Sequence, residues 1–266
     1  MTEVGARVRR YVLADDLGPP ESLELAAGEW LVCVDYFGFS GTGVERTLAR
    51  YGRSRVLVDA SLALFRRPGP GGATVYSARK FVGVPDGGWL VASGAAPPIL
   101  AADEAASRRR CRHLLLRRAG KAEAGYAHFL EAEKSLGDCS PRAMSGLTAR
   151  LLDRIDFDAV AARRIRNHAA LAQALRTFGL RTQALPASAV PLYCLLIDVN
   201  APRLREALLV RRIYTPRFWP DAVPPTEDTV ATALRDRTLY LPCDQRYDEQ
   251  DMLRLAFAVA TALGVA

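Results

Sequence analysis

A chain of 266 residues that is half apolar can build one large α/β domain or two small ones without disulfides or metal. Its five cysteines are odd in number, scattered and free of any CxxC pair, which argues against a disulfide framework or a zinc site. The net charge of +7 comes mostly from arginine clusters that no helix-turn-helix, RNP or zinc-finger pattern accompanies, so they read as solvated helix faces and no nucleic-acid partner is expected.

In chain order, the basic start leads into Asp15-Asp16 without the apolar core of a signal peptide. Glu29 to Tyr36 and Arg55 to Asp59 then read as short apolar strands, separated by glycines at 38, 41 and 43 and a helix-like Val44 to Tyr51. Strand, helix and strand at that spacing predict a βαβ unit with parallel pairing and a right-handed crossover. The continuous Val56-Leu57-Val58 predicts a strand covered on both faces. Pro68-Gly69-Pro70-Gly71-Gly72 marks a turn before two further strands, Thr74 to Ser77 and Trp89 to Ala92.

From Asp103 to about Gly179 the pattern is helical, with Leu151, Ile155, Val160 and Ile165 as an apolar stripe. The last long helix is predicted from Phe157 or Asp158 to Phe178, with Gly179 as its C′ residue, and is long enough to bridge two domains. Val190 to Val199, Ala201 to Arg211, Ile213-Tyr214, Thr238 to Leu241 and Gln250 to Leu263 alternate strand and helix, which suggests a small α/β unit. The expected division is 1–153 and 154–266. No run reaches the roughly 18 apolar residues of a membrane span. Met252 to Ala266 is shorter and carries Arg254, so a cytoplasmic protein with no membrane partner is the expectation. His113, His128 and His168 show no helical pairing, and no metal is expected.

The chemistry concentrates around the second strand. Asp59 lies at its carboxyl end, where α/β sheets put their ligands, and Lys80 follows in a loop that carries Ser77 and turns at Gly87-Gly88. An acid there and a lysine in a serine-bearing loop are the pair that pyridoxal phosphate chemistry needs. The lysine forms an imine and moves protons, while the acid keeps the pyridine nitrogen protonated. For Lys80 to act as a nucleophile near neutral pH its pKa must fall, to which neighbouring Arg79 would contribute.

The lysine loop, together with Asp35-Tyr36-Phe37-Gly38, Met144-Ser145-Gly146-Leu147-Thr148, Arg163-Arg164-Ile165-Arg166-Asn167, Ile213 to Trp219 and Leu241 to Tyr247, resembles the DegT/DnrJ/EryC1/StrS sugar aminotransferases, a branch of the aspartate aminotransferase superfamily. These stretches recur in the family's order from about Tyr11 to the end. The resemblance implies the PLP-dependent transferase fold of type I, with an incomplete, mostly parallel large-domain sheet and a small C-terminal α/β domain. It implies catalytic Lys80 and Asp59, with Ser77 toward the cofactor phosphate and Tyr36 at the cofactor edge. It also implies an amino donor, a nucleotide-linked keto-sugar acceptor as in polysaccharide biosynthesis, and a homodimer. Arg217 beside Trp219 would shape a substrate entrance. Asp244-Gln245-Arg246-Tyr247 reads instead as a polar knot that locks the small domain.

Two departures from the family's pattern are visible. Relatives begin with a further segment that cradles the cofactor phosphate and stacks an aromatic on the ring, and this chain starts after both. Asp59-Ala60-Ser61-Leu62 also puts Leu62 where relatives carry a Gln or His that contacts the cofactor, and a leucine cannot donate that hydrogen bond. Weak cofactor binding is therefore expected, and the alternative reading is a non-catalytic relative that serves as a binding or assembly module.

Overall fold

The computed structural model describes residues 5–69, 72–94, 98–137 and 140–266, so Pro70 and Gly71 of the expected turn, and Cys139, lie outside the described residues. Strand β1 (Leu31–Val34), helix α1 (Gly41–Tyr51) and strand β2 (Val56–Ala60) form the predicted βαβ unit, with β1 and β2 parallel. Strand β3 (Ala73–Ser77) continues the sheet in parallel, and β4 (Gly88–Ala92) closes it antiparallel, in the order β1-β2-β3-β4. Helix α1 covers one face only. Leu31, Cys33, Val56, Val58 and Ala60 are buried with its Val44 and Leu48, whereas Val32, Val34, Leu57 and Asp59 on the other face are only half-buried. The expectation that β2 is covered on both faces is thus corrected: a period-2 alternation of burial replaces it because no element of the described chain fills the second face.

Helices α2 (Glu104–Arg118) and α3 (Ala122–Lys134) pack on each other. They leave Leu115, Tyr126 and Leu130 exposed. Helix α4 (Gly146–Leu152) starts where the Ser145 hydroxyl accepts from Thr148 N, and α5 (Phe157–Thr177) where Asp156 accepts from Ala159 N. The predicted end of α5 is present: Gly179, at φ 73°, donates to Arg176 O at 3.0 Å and Leu180 N donates to Leu175 O at 3.1 Å, a Schellman closure. The predicted stripe is not the buried face. Leu151 and Ile165 are exposed, because the chain breaks between α4 and α5, and the face turned inward is Arg164, Asn167, His168, Leu171 and Leu175. His168 packs its ring 6.0 Å from that of Phe39, its Nε2 has no partner, and burial pushes its pKa down to about 4.

The rest of the chain builds a smaller unit from β5 (Tyr193–Leu196) antiparallel to β6 (Leu239–Pro242), with helices α6 (Ala201–Val210), α7 (Thr229–Thr232) and α8 (Glu249–Leu263). Ile213-Tyr214 forms no strand; the Tyr214 hydroxyl instead donates to Glu123 of α3. Leu171, Leu175, Leu196, Leu208, Leu241 and Val259 form the core of this unit. A second core, with Phe37, Leu62, Phe81, Leu192, Leu195 and Tyr240, fills the joint between the two sheets. Among the described residues no helix is long and apolar enough to cross a membrane.

A strap before β1 ties the two ends of the molecule. Asp16 pairs with Arg46 of α1 at 2.8 Å, and Leu13 N donates to Asp228, the cap of α7, at 3.2 Å. The strap passes so close to α1 that a Cβ on Gly43 would lie 2.8 Å from Asp16 O and one on Gly18 2.9 Å from the Gly43 Cα.

Candidate active site

The site lies at the carboxyl edge of the parallel strands. Asp59 is level with Val34 on one side and Val75 on the other, so these residues and Ser77, two further along β3, share the half-covered face. Asp59 Oδ1 accepts from Ser61 N at 2.9 Å and from the Ser61 hydroxyl at 2.5 Å. Its Oδ2 accepts no hydrogen bond among the described residues and is available to a cationic N–H.

After Ser77 the chain makes one tight turn, Ala78–Lys80, from which Lys80 emerges exposed and without a hydrogen bond or ion pair among the described residues. Everything around it is tied down. Arg79 forms an ion pair with Glu133 of α3, so the expectation that its positive charge acts on Lys80 is weakened by a neutralising carboxylate. Phe81 is buried, its N–H donates to Ala78 O at 3.0 Å, and its carbonyl accepts from Arg164 at 3.0 Å and from Gln245 at 2.9 Å. Farther on, Asp86 accepts from Ser145 N at 3.2 Å. Burial would raise the Asp86 pKa, but hydrogen bonds from Ser107, Thr148 and Ser145 outweigh it and the net direction is down. Gly87, at φ 89°, leaves room for Met144 and Thr148, and Gly88 is pressed so close to β3 that a Cβ there would sit 2.5 Å from Tyr76 O.

Tyr36-Phe37-Gly38 turns the chain at the end of β1. Asp35 before it is buried, pairs with Arg66 at 3.2 Å and accepts from Ser40 N, and burial still pushes its pKa up against that pairing. Tyr36 meets Trp219 edge-on at 5.5 Å. Burial, with Cys33, Asp228 and Asp59 in electrostatic range, pushes the Tyr36 pKa up to about 12, so its hydroxyl stays protonated at any physiological pH. Phe37, Tyr193, Phe218 and Tyr240 continue the aromatic cluster into the joint. Arg217 is exposed beside it. Leu62, where a cofactor contact would sit in relatives, is spent in the joint core.

Arg164 and Asn167 belong to one of the family-like stretches, but the sequence assigned neither of them a role. Arg164 is 2% exposed and donates to Pro191 O at 3.2 Å and Leu192 O at 3.1 Å besides Phe81 O; its guanidinium lies 4.8 Å from the Phe81 ring. Burial lowers its pKa. Asn167 donates to Asp244 O and Tyr247 O, both at 3.0 Å, and Arg246 pairs with Asp244 at 2.7 Å. The expected polar knot is present, and it reaches into the lysine turn. The signal for it lay in the spacing Arg164, Asn167, His168, Leu171, Leu175, which repeats on one helical face.

No family model and no curated protein matches the sequence. The fold matches solved structures. Sugar aminotransferase CalS13 from Micromonospora echinospora aligns with a TM-score of 0.59 at 16% identity, over 98% of this chain and 76% of that one. DesI, solved in the presence of its TDP-sugar product, aligns at 0.56 and 19% identity, over 91% of this chain and 64% of that one. A DegT DnrJ EryC1 StrS aminotransferase from Brucella abortus aligns at 0.53 and 14% identity, over 88% and 64%. The chain thus spans just under two thirds of the length of DesI and of the Brucella protein. Spr1654 of Streptococcus pneumoniae, solved in PLP and PMP forms, also aligns at 0.55. With a mixed, mostly parallel sheet, an acid at the end of its second strand and a lysine turn after its third, this chain has the fold of the PLP-dependent sugar aminotransferases.

Proposed function

We propose that the chain acts as a PLP-dependent aminotransferase on a nucleotide-linked keto-sugar or a related carbonyl compound. The observation that carries this reading is the placement, at the same edge of two parallel strands, of Asp59 and Lys80, with Asp59 Oδ2 and the Lys80 amine both without a hydrogen-bond partner among the described residues. When bound, pyridoxal phosphate supplies an electrophilic carbonyl carbon and an electron-withdrawing ring. The donor set fits that group at its ring-nitrogen and carbonyl ends. Asp59 Oδ2 would accept the ring N–H and keep it protonated; the Lys80 amine would hold the carbonyl carbon and, once displaced by an amino donor, would move the proton at the substrate carbon. Ser77 would donate its hydroxyl to the phosphate, and Tyr36 would border the ring. The similarity to DesI, solved in the presence of its TDP-sugar product, supports the sugar class. The buried Leu62 favours a second reading, a non-catalytic binding module, because it leaves that position without a donor.

Added pyridoxal phosphate followed by borohydride reduction separates the two. The expected result is a stable cofactor label on the Lys80 peptide that disappears in Lys80→Ala. Labelling elsewhere, or equal labelling of Lys80→Ala, removes Lys80 from its role; no label at any cofactor concentration favours the module.

A further inference from the structure

From the geometry around Phe81 we infer that Arg164 and Gln245 are positioning residues for Lys80, through which the smaller unit sets where the amine stands. The inference rests on the proposed function for what Lys80 does, but the coupling itself does not.

Among the described residues no hydrogen bond or ion pair fixes the Lys80 side chain, so its place depends on how its neighbours hold the backbone. Both peptide groups flanking Phe81 are held. The N–H on the Lys80 side is bonded within the turn, to Ala78 O. The carbonyl on the other side is bonded, among the described residues, from outside the turn, by two side chains that belong to different elements: Arg164 on α5 and Gln245 in the loop after β6. Burial of the Phe81 ring, 5.6 Å from that of Phe65 and beneath the Arg164 guanidinium, anchors the side chain, and Val82 N, which donates to Ala78 O at 3.0 Å, holds the N–H end of the following peptide. The two donors hold its carbonyl end and tie it to α5 and the loop after β6.

Arg164 is also an unusual choice for packing alone. It is a cation at 2% exposure whose hydrogen bonds, among the described residues, go to main-chain carbonyls and not to a carboxylate. An apolar residue would fill the space without the desolvation cost of a buried charge. What it adds is a planar fork that spans Phe81 in one segment and Pro191-Leu192 in another, a job lysine cannot copy. Asn167, one turn along α5, holds the backbone of Asp244 and Tyr247, on either side of Gln245, so the second donor is itself anchored to the helix that carries the first. Any shift of α5 is carried to the lysine turn.

The test is Gln245→Leu, which removes the donor and also the unpartnered buried Oε1, so global stability changes little. Arg164→Lys is the companion variant. Hydrogen exchange of the amides of residues 81–84 is measured without cofactor, with the amides of α8 as reference, and borohydride trapping of pyridoxal phosphate on Lys80 is measured as a function of pH. In Gln245→Leu exchange over 81–84 is expected to quicken on the order of tenfold, with α8 unchanged, the effect of losing one hydrogen bond. The pH midpoint of trapping is expected to move. Exchange over 81–84 equal to wild type, or quickened equally in α8, overturns the inference and leaves the two residues with a general stabilising role. Should the wild-type protein trap no cofactor, the proposed function fails while the exchange ratio still decides the coupling. If Arg164→Lys does not fold, Gln245→Leu decides alone.

Discussion

His168 gives the molecule a built-in response to acid. Buried at 5% exposure between α5 and Phe39, with a pKa pushed from 6.5 down to about 4 by burial alone, it must enter the fold neutral. In the unfolded chain it titrates near 6.5, so between pH 6.5 and 4 the unfolded state binds the extra proton and stability falls as pH falls. Its contribution is complete above pH 6.5. One pKa unit corresponds to about 1.4 kcal/mol, so a drop from pH 7 to pH 5 should cost about 2 kcal/mol through this one side chain. Urea midpoints of the wild type and of His168→Leu, which fills similar volume without a titrating group, isolate the effect: the other groups cancel in the difference. The wild type is expected to lose about 2 kcal/mol more than His168→Leu between the two pH values. Equal losses in both proteins would refute the argument, and would mean that acid-induced opening hydrates the ring before the fold is lost.

Gly87→Ala puts a Cβ at φ 89° and 3.0 Å from Met144 and Thr148, and should lower stability by about 1–2 kcal/mol, read from a urea midpoint; an unchanged midpoint would show that the turn relaxes. Strand β4 is exposed along its length, with Trp89, Leu90 and Val91 between 38 and 48% exposed, and is an open sheet edge. The chain is therefore expected to be a homodimer or larger by light scattering at micromolar concentration, and a well-behaved monomer would count against that expectation.

The first four strands were readable because each is a short apolar run bounded by glycine, proline or a charge, and the position of Asp59 and Lys80 followed from those boundaries. What escaped reading depended on context. Only its spacing from Asn167, His168, Leu171 and Leu175 distinguishes Arg164, buried in the joint, from Arg163 and Arg166 beside it, so a run of arginines looked uniformly solvated. The stripe that included Leu151 and Ile165 failed because it ran through the break that Asp156 caps, and a helix restarted after a break has a new phase. The half-open face could not be read from Val56-Leu57-Val58, since a strand's own residues do not say how many layers cover it.

The strap gives the molecule an order in time. Leu13 and Asp228 are 215 residues apart, and Asp228 serves both, one carboxylate oxygen accepting from Leu13 and the other from Ala231 at the start of α7. The strap also lies against Gly43, so it has a seat only after α1 has formed. During synthesis Leu13 and its neighbours therefore wait for Asp228, 215 residues later. The sheet and α1 assemble from near neighbours, while closing the strap across most of the chain carries the largest loop entropy and comes late. The strap thus acts as a latch that registers completion of the smaller unit.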